Sequence, residues 1–349
     1  MHTIQSFAAH GARIPLTVIG GAAGAGKTSL IRHLLAQTNG RRIAAVLTDG
    51  AGLDPALISH RDGALIVLRN GCICVLSDDD GTDALAALAE SPLRPEHVLF
   101  DRAGISDLRR VSGYGYMPSY CLDGSVLVVD AATATTYEAD SPAEWQLREQ
   151  ATIADVVLLN KVDLVDDHQA DALQRLIERL APTTRVLWSD HARIAPPLLL
   201  GLCDGPNALD TRAVLAEWST DFTPLRSRTT PWARGSRTVR TGAAERHSAW
   251  CLVADGPLDG REFRRWAQRL PSGILNGRGA VYLREEPQHR HLFHFLGCRW
   301  RLDRGPLWGS DTPATRLLLA GIGEPARAPW RSATTRAHAM HAPDAGGVA

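Results

Sequence analysis

This chain contains only two lysines: of its 38 basic residues, 36 are arginine. A sequence that uses arginine almost everywhere keeps lysine where a small, multidirectional charge must fit and a planar guanidinium cannot. The first, Lys27, closes Gly21-Ala22-Ala23-Gly24-Ala25-Gly26-Lys27-Thr28, which has the G-x-x-x-x-G-K-[ST] spacing of a phosphate-binding loop. Glycines at 21, 24 and 26 allow successive backbone N–H groups to turn inward around phosphate oxygens. Lys27 adds a point charge, the Thr28 hydroxyl can hold Mg2+, and Ser29 follows at the α-phosphate. The second lysine lies in Asn160-Lys161-Val162-Asp163, an N-K-x-D pattern. The Asp163 carboxylate can accept both N1–H and N2–H of guanine, whereas adenine would leave it unpaired, so GTP is expected over ATP. Between the two motifs, Asp101-Arg102-Ala103-Gly104 has the D-x-x-G form, in which the carboxylate serves Mg2+, usually through water, and the glycine N–H faces the γ-phosphate.

These groups need rigid elements behind them, and the apolar pattern supplies them. A buried strand at 14–19 precedes the loop, and an amphipathic helix from Ser29 to Leu35 follows it. Further strands are predicted at 43–47, 64–68, 98–100, 125–130, 156–159 and 185–188. Helices are predicted around 83–88 and over 142–153 and 167–180. Strands alternating with helices imply an α/β fold, a P-loop NTPase domain with a largely parallel sheet and the ligand crevice at the strand carboxyl ends. The turn-rich segment from Thr48 to Asp54, with Asp49 at its head, is the natural switch loop and a further Mg2+ candidate. A dinucleotide-binding turn beginning at Gly24 is the rival reading. It fails because Ser29 stands where the third glycine belongs, and because it leaves both lysines unexplained.

Length predicts about two domains. The divisions read as a flexible lead over 1–13, the nucleotide domain over 14–220 and a linker over 221–246 rich in Arg, Thr, Ser, Gly and Pro. A smaller α/β domain follows over 247–323, then a tail over 324–349 with little to bury and hence expected to be disordered. The formal charge is zero at pH 7, which leaves no basic field for nucleic acid. No apolar run approaches the roughly 18 residues of a membrane span, and no basic segment with an apolar core opens the chain, so a cytoplasmic protein with reduced thiols is expected.

Taken together these motifs resemble the CobW-like branch of the P-loop GTPases, which also includes the nickel chaperone GTPases of urease and hydrogenase maturation. The resemblance rests on Gly21 to Ser29, on Asn70-Gly71-Cys72-Ile73-Cys74, and on Gln150 ahead of Ala154-Asp155 and N-K-V-D. Over residues 247–323 it rests on Ser248-Ala249-Trp250, Gly273 to Gly279 and Arg316-Leu317, which look like the family's C-terminal domain. It implies GTP hydrolysis coupled to delivery of a transition metal, most often zinc or cobalt, to a client metalloprotein, and leaves room for a homodimer. Narrower and alternative roles are cobalt insertion in cobalamin synthesis and a GTP-dependent regulatory switch without metal transfer. The sequence departs from the family in three places: Val75 replaces the third thiol of C-x-C-C, Asp101-Arg102 replaces the usual Glu followed by Thr or Ser, and the segment around Asp49 is about two residues short.

Cys72 and Cys74 lie two apart, so in extended backbone they face the same way and could share one zinc or cobalt ion, with other ligands drawn from elsewhere; the alternative is a pair of small buried thiols beside the loop. A cysteine at 75 is expected to tighten such a site. His289, His291 and His294 do not share a face in a strand, which favours a solvated edge strand over a metal cluster. Asp78-Asp79-Asp80 reads as a turn and helix start, and Arg102 as an exposed switch residue.

Overall fold

The computed structural model describes residues 13–38, 42–47, 58–62, 65–69, 71–76, 81–91, 94–101, 108–200, 247–271, 273–322 and 333–340. Asp49, Asn70, Asp78 to Asp80, Arg102, Gly104 and the linker at 221–246 fall outside the described residues.

The first sheet has nine strands. In chain order they are β1 (Ile14–Gly20), β2 (Ile43–Leu47), β3 (Ile58–Asp62), β4 (Leu65–Leu68), β5 (Ile73–Leu76), β6 (His97–Asp101), β7 (Tyr120–Asp130), β8 (Val156–Asn160) and β9 (Arg185–Ser189). Their spatial order is β3-β4-β5-β2-β6-β1-β7-β8-β9. From β5 to β9 every pairing is parallel. Strands β3 and β4 form an antiparallel extension at one edge. Both faces of the parallel part are covered, which is why these strands are mostly apolar, as in Ile43–Leu47 of β2, with a few buried polar residues such as Thr17 and Asp123. One face packs against α2 (Thr82–Glu90), α3 (Leu108–Ser112), α5 (Pro142–Ala151) and α6 (Asp167–Leu180) through Leu85, Val111, Leu147, Leu173 and Ile177. The short α4 (Ala131–Ala134) follows directly on β7.

The other face is shared. Helix α1 (Lys27–Ala36) covers part of it with Leu30, Ile31, Leu34 and Leu35, and α7 (Pro196–Leu199) adds Leu198 and Leu199. The remainder is covered by a second sheet built from β10 (His247–Ala254), β11 (Ile274–Tyr282), β12 (His289–Leu296), β13 (Arg299–Leu307), β14 (Thr315–Ile322) and β15 (Ala333–Met340). This sheet is antiparallel in the order β13-β12-β11-β14-β10-β15. The period of two in these strands separates two faces. Leu275, Leu296, Leu318 and Ala320 join the core of the nucleotide domain, while Phe293, Phe295, Leu317 and Leu319 pack under Phe263 and Trp266 of α8 (Gly260–Ala267).

Polar contacts fasten the two sheets together. Asp123 of β7, fully buried, is ion-paired with Arg278 of β11, and Asp155 accepts from Arg299 Nε at 3.1 Å. Arg185 donates to the carbonyls of Gly297 and Leu270, and Asn276 to that of Leu200. Gly124 lies where the two sheets meet, and a Cβ there would collide with Leu296.

The structure corrects two expectations here. The tail is not wholly irregular, because 333–340 forms β15 and pairs along all of β10. Backbone hydrogen bonding to an open sheet edge requires no apolar periodicity, so composition could not reveal it. The histidine-rich strand is not a solvated edge: β12 lies between β11 and β13, and His291 and His294 are both buried. His294 faces Asp123, its Nδ1 3.5 Å from the carboxylate, and burial among neighbouring arginines holds its pKa well below the ordinary range.

Candidate nucleotide site

The loop from Gly21 to Gly26 leaves the carboxyl end of β1 and enters α1 at Lys27. Its glycines serve different ends. Gly24 needs its φ of 77°, with open space around its α-carbon. Gly26 needs a φ of 107° and also the absence of a side chain, since a Cβ would run into the amide nitrogen of Asn160. The Lys27 ammonium is tied back onto the loop, 3.0 Å from the carbonyls of both Gly21 and Ala22. It is 7% exposed, an ammonium preset in a cradle of backbone. Thr28 is half-buried and Ser29 exposed at the helix start, both at the end where the helix dipole is positive.

Asp101 ends β6, paired in register with Ile19 of β1, and so sits beside the start of the loop. It is 4% exposed, and its Oδ1 has no hydrogen-bond partner among the described residues. Burial pushes its carboxyl up to about 6, against the opposing pull of Lys27. A buried carboxylate oxygen without a donor beside a phosphate-type loop, together with the Thr28 hydroxyl, makes an oxygen set that would fit Mg2+.

The base motif stands two strands further along. Asn160 ends β8 and is 2% exposed. Its side-chain amide donates to the Ala25 carbonyl at 2.9 Å and accepts from the Ala192 N–H at 2.7 Å. It therefore ties the phosphate loop to the segment after β9, where His191 and Ala192 both adopt left-handed backbone at φ of 49° and 57°. Lys161 is left-handed too, at φ 61°, and its ammonium lies 2.7 Å from Asp130 at the end of β7. Asp163 is exposed in the short 3-10 turn Val162–Leu164 and makes no hydrogen bond or ion pair among the described residues, which leaves both carboxylate oxygens open to a ligand.

The structure thus gathers Gly21, Gly24, Gly26, Lys27, Thr28, Ser29, Asp101, Asn160, Lys161 and Asp163 at the carboxyl ends of β1, β6 and β8. Two participants were missed by motif reasoning, Asp130 and the backbone of Ala192. The only sequence trace of either is its position just past an apolar strand. A pocket of about 70 Å3 opens beside them, between Ala22, Ala23, Asp130, Tyr137, Gln146 and Gln150.

Cys72 and Cys74 take a different place from the one their motif suggests. Gly71, at φ 82°, reverses the chain between β4 and β5, so Cys74 lies within β5, level with Ala45 of β2, and is not carried on a loop. Both thiols are fully buried on the α1 side of the sheet. Burial raises the pKa of both, that of Cys74 to about 12. Val75 packs toward the opposite face, with Ile73, so a cysteine at 75 would not share an ion with the other two. Among the described residues no group of three or more His, Cys, Asp or Glu side chains is placed to hold a metal. None of the described helices is long and apolar enough to cross a membrane.

A P-loop domain carrying a guanine-type base motif, fused to an antiparallel α/β domain through a common core, defines the class. The chain belongs to the CobW/HypB/UreG family of P-loop GTPases: residues 15–187 match its nucleotide-binding domain, and residues 247–332 match the cobalamin synthesis protein cobW C-terminal domain. It is 28% identical to a zinc chaperone CobW of a Sinorhizobium species over 222 residues, 54% of this chain and 63% of that one. It is 25% identical to zinc-regulated GTPase metalloprotein activator 1 of Schizosaccharomyces pombe over 194 residues, 52% and 47% of the two chains. With the zinc chaperone YjiA of Escherichia coli it shares 25% identity over 335 residues, 89% and 95%. The chain therefore spans about half to two thirds of the first two relatives and nearly all of the third.

Proposed function

We propose that this protein binds GTP with Mg2+, hydrolyses it slowly, and uses the change to pass a transition metal, or a metal-dependent activating signal, to a client metalloprotein in the cytoplasm. Zinc is the metal of first choice, from the names of its relatives, and cobalt the second. The double anchorage of Asn160 carries the reading, because it fixes the base-reading segment and the phosphate loop at one distance, as a single nucleotide requires. Lys27 and the loop N–H groups take the phosphates. Thr28 and Asp101 hold Mg2+, which offsets charge on the β- and γ-phosphates, with Asp49 as a further candidate, and Gly104 senses the γ-phosphate. Lys161 covers the base and Asp163 reads its edge. Calorimetric titration with GTP and ATP in Mg2+ tests the assignment, and equal affinities would refute it. Asp163→Asn should move preference toward xanthine nucleotides, whose C2 carbonyl accepts from the amide.

A second reading, a GTP-dependent switch that transfers no metal, is favoured by one observation: Cys72 and Cys74 are fully buried thiols whose pKa values are raised. Gel filtration under reducing conditions separates the two. Zinc retained one per chain and lost in Cys72→Ser supports delivery, and absence of metal in both nucleotide states supports the switch.

A further inference from the structure

The N-K-x-D motif has a companion from the neighbouring strand. Asp130 and Asn160 are level in the parallel pair β7 and β8. Lys161 follows Asn160, and its left-handed backbone sends the side chain back across to Asp130 Oδ2 at 2.7 Å. The other carboxylate oxygen, Oδ1, accepts from the Thr133 N–H at 3.2 Å and so caps α4. Each oxygen has its own partner, which fixes the carboxylate plane. The side chain of Asp130 is 16% exposed and that of Lys161 33%. Burial alone would raise the Asp130 pKa, but the hydrogen bonds from Lys161 and Thr133 prevail and hold it below the ordinary carboxylate value. A helix cap requires one acceptor oxygen only. The second is free for the lysine.

We propose that Asp130 is a positioning residue of the guanine site, holding the Lys161 ammonium so that the lysine stem is already extended as a platform for the face of the base. The proposal rests on the GTP reading above. A lysine loses substantial rotamer freedom when ordered, and a stem ordered before the nucleotide arrives does not charge that loss against binding. Both Asp130 oxygens are already engaged, by Lys161 and Thr133, so its effect passes through Lys161 and belongs to base affinity.

The test is a double-mutant cycle on the full chain with Asp130→Asn, Lys161→Met and both together, read as GDP affinity with a fluorescent analogue. Asparagine keeps an acceptor for Thr133, so the cap on α4 survives, and methionine keeps a stem without its charge. Asp130→Asn is expected to weaken GDP binding about fivefold, in the range of a part-exposed ion pair. It should cost nothing further in the Lys161→Met protein, and should leave competition by inorganic tripolyphosphate unchanged because that probe has no base. Asp130→Glu, which keeps the charge, should recover part of the loss. Equal losses in both backgrounds, an unchanged GDP affinity, or a parallel loss of tripolyphosphate affinity would overturn the proposal. A wild-type protein that prefers guanine but gives an additive cycle refutes Asp130 alone. One with no preference for guanine refutes the site and Asp130 together.

Discussion

In the role proposed for it, Asp101 has to be ionised to hold Mg2+, yet it sits in a place that penalises ionisation. In the nucleotide-free protein burial moves its carboxyl from the ordinary 3.8 to about 6. Each pH unit between these values corresponds to ~1.36 kcal/mol, so the ionised group costs the folded state about 3 kcal/mol at pH 7.5. The sign follows from proton binding. The folded-state value lies above the unfolded one, so the folded chain holds its proton longer. Stability is fully present below 3.8 and is lost as the pH rises through about 6. Asp101→Asn removes the titration while keeping the shape. Without nucleotide and in a chelator, the variant should be more stable than wild type at pH 7.5 by up to about 3 kcal/mol, or roughly 5–10 °C in melting temperature. The gap should close steadily as the pH is lowered toward 4. Mg2+ with GTP should raise the melting temperature of wild type, and the same variant should lose that gain, because a neutral amide is a poor partner for a hard cation. Melting curves at several pH values, with and without Mg2+ and GTP, measure both effects. A variant no more stable than wild type at pH 7.5, or a gap that does not change with pH, would refute the reasoning.

Three further predictions follow from the packing. Lys27→Arg should lose tight triphosphate binding nearly as completely as Lys27→Ala, because the planar fork cannot reproduce an ammonium 3.0 Å from two carbonyls in a buried cradle; GTP titration decides it. Gly124→Val should destabilise the chain by about 1–3 kcal/mol, on the order of an overpacked core, since its Cβ collides with the Leu296 side chain between the two sheets; chemical denaturation measures the loss, and no measurable change counts against the close approach. In the native protein at pH 8, iodoacetamide should modify exposed Cys298 well before the fully buried Cys72 or Cys74, because burial raises the pKa of all three thiols and only exposure separates them; peptide mass spectrometry gives the order, and equal rates would show that the pair is accessible.

The residues proposed for the nucleotide site could be picked out from the sequence because the chemistry proposed for them is local. A phosphate loop must join a strand to a helix within a few residues, and N-K-V-D reads a base edge from one turn, so residue type and spacing carry the whole signal. The pair of lysines added weight from composition alone. The parallel sheet was legible for a similar reason: strands buried on both faces are near-continuous apolar runs, as are β2 and the central residues of β1, β6 and β8. Tertiary structure decided whatever depends on residues far apart in the chain. It brought Asp130 to Lys161 and Ala192 to Asn160 by laying β7, β8 and β9 side by side. It buried both thiols, with Cys74 inside β5, by forming the β4–β5 hairpin. It carried His294 of the second sheet to Asp123 of the first and added β15 at an edge that composition could not reveal. Strand order, face and register are set by the packing of the whole chain, and a linear motif holds no record of its neighbours across the sheet.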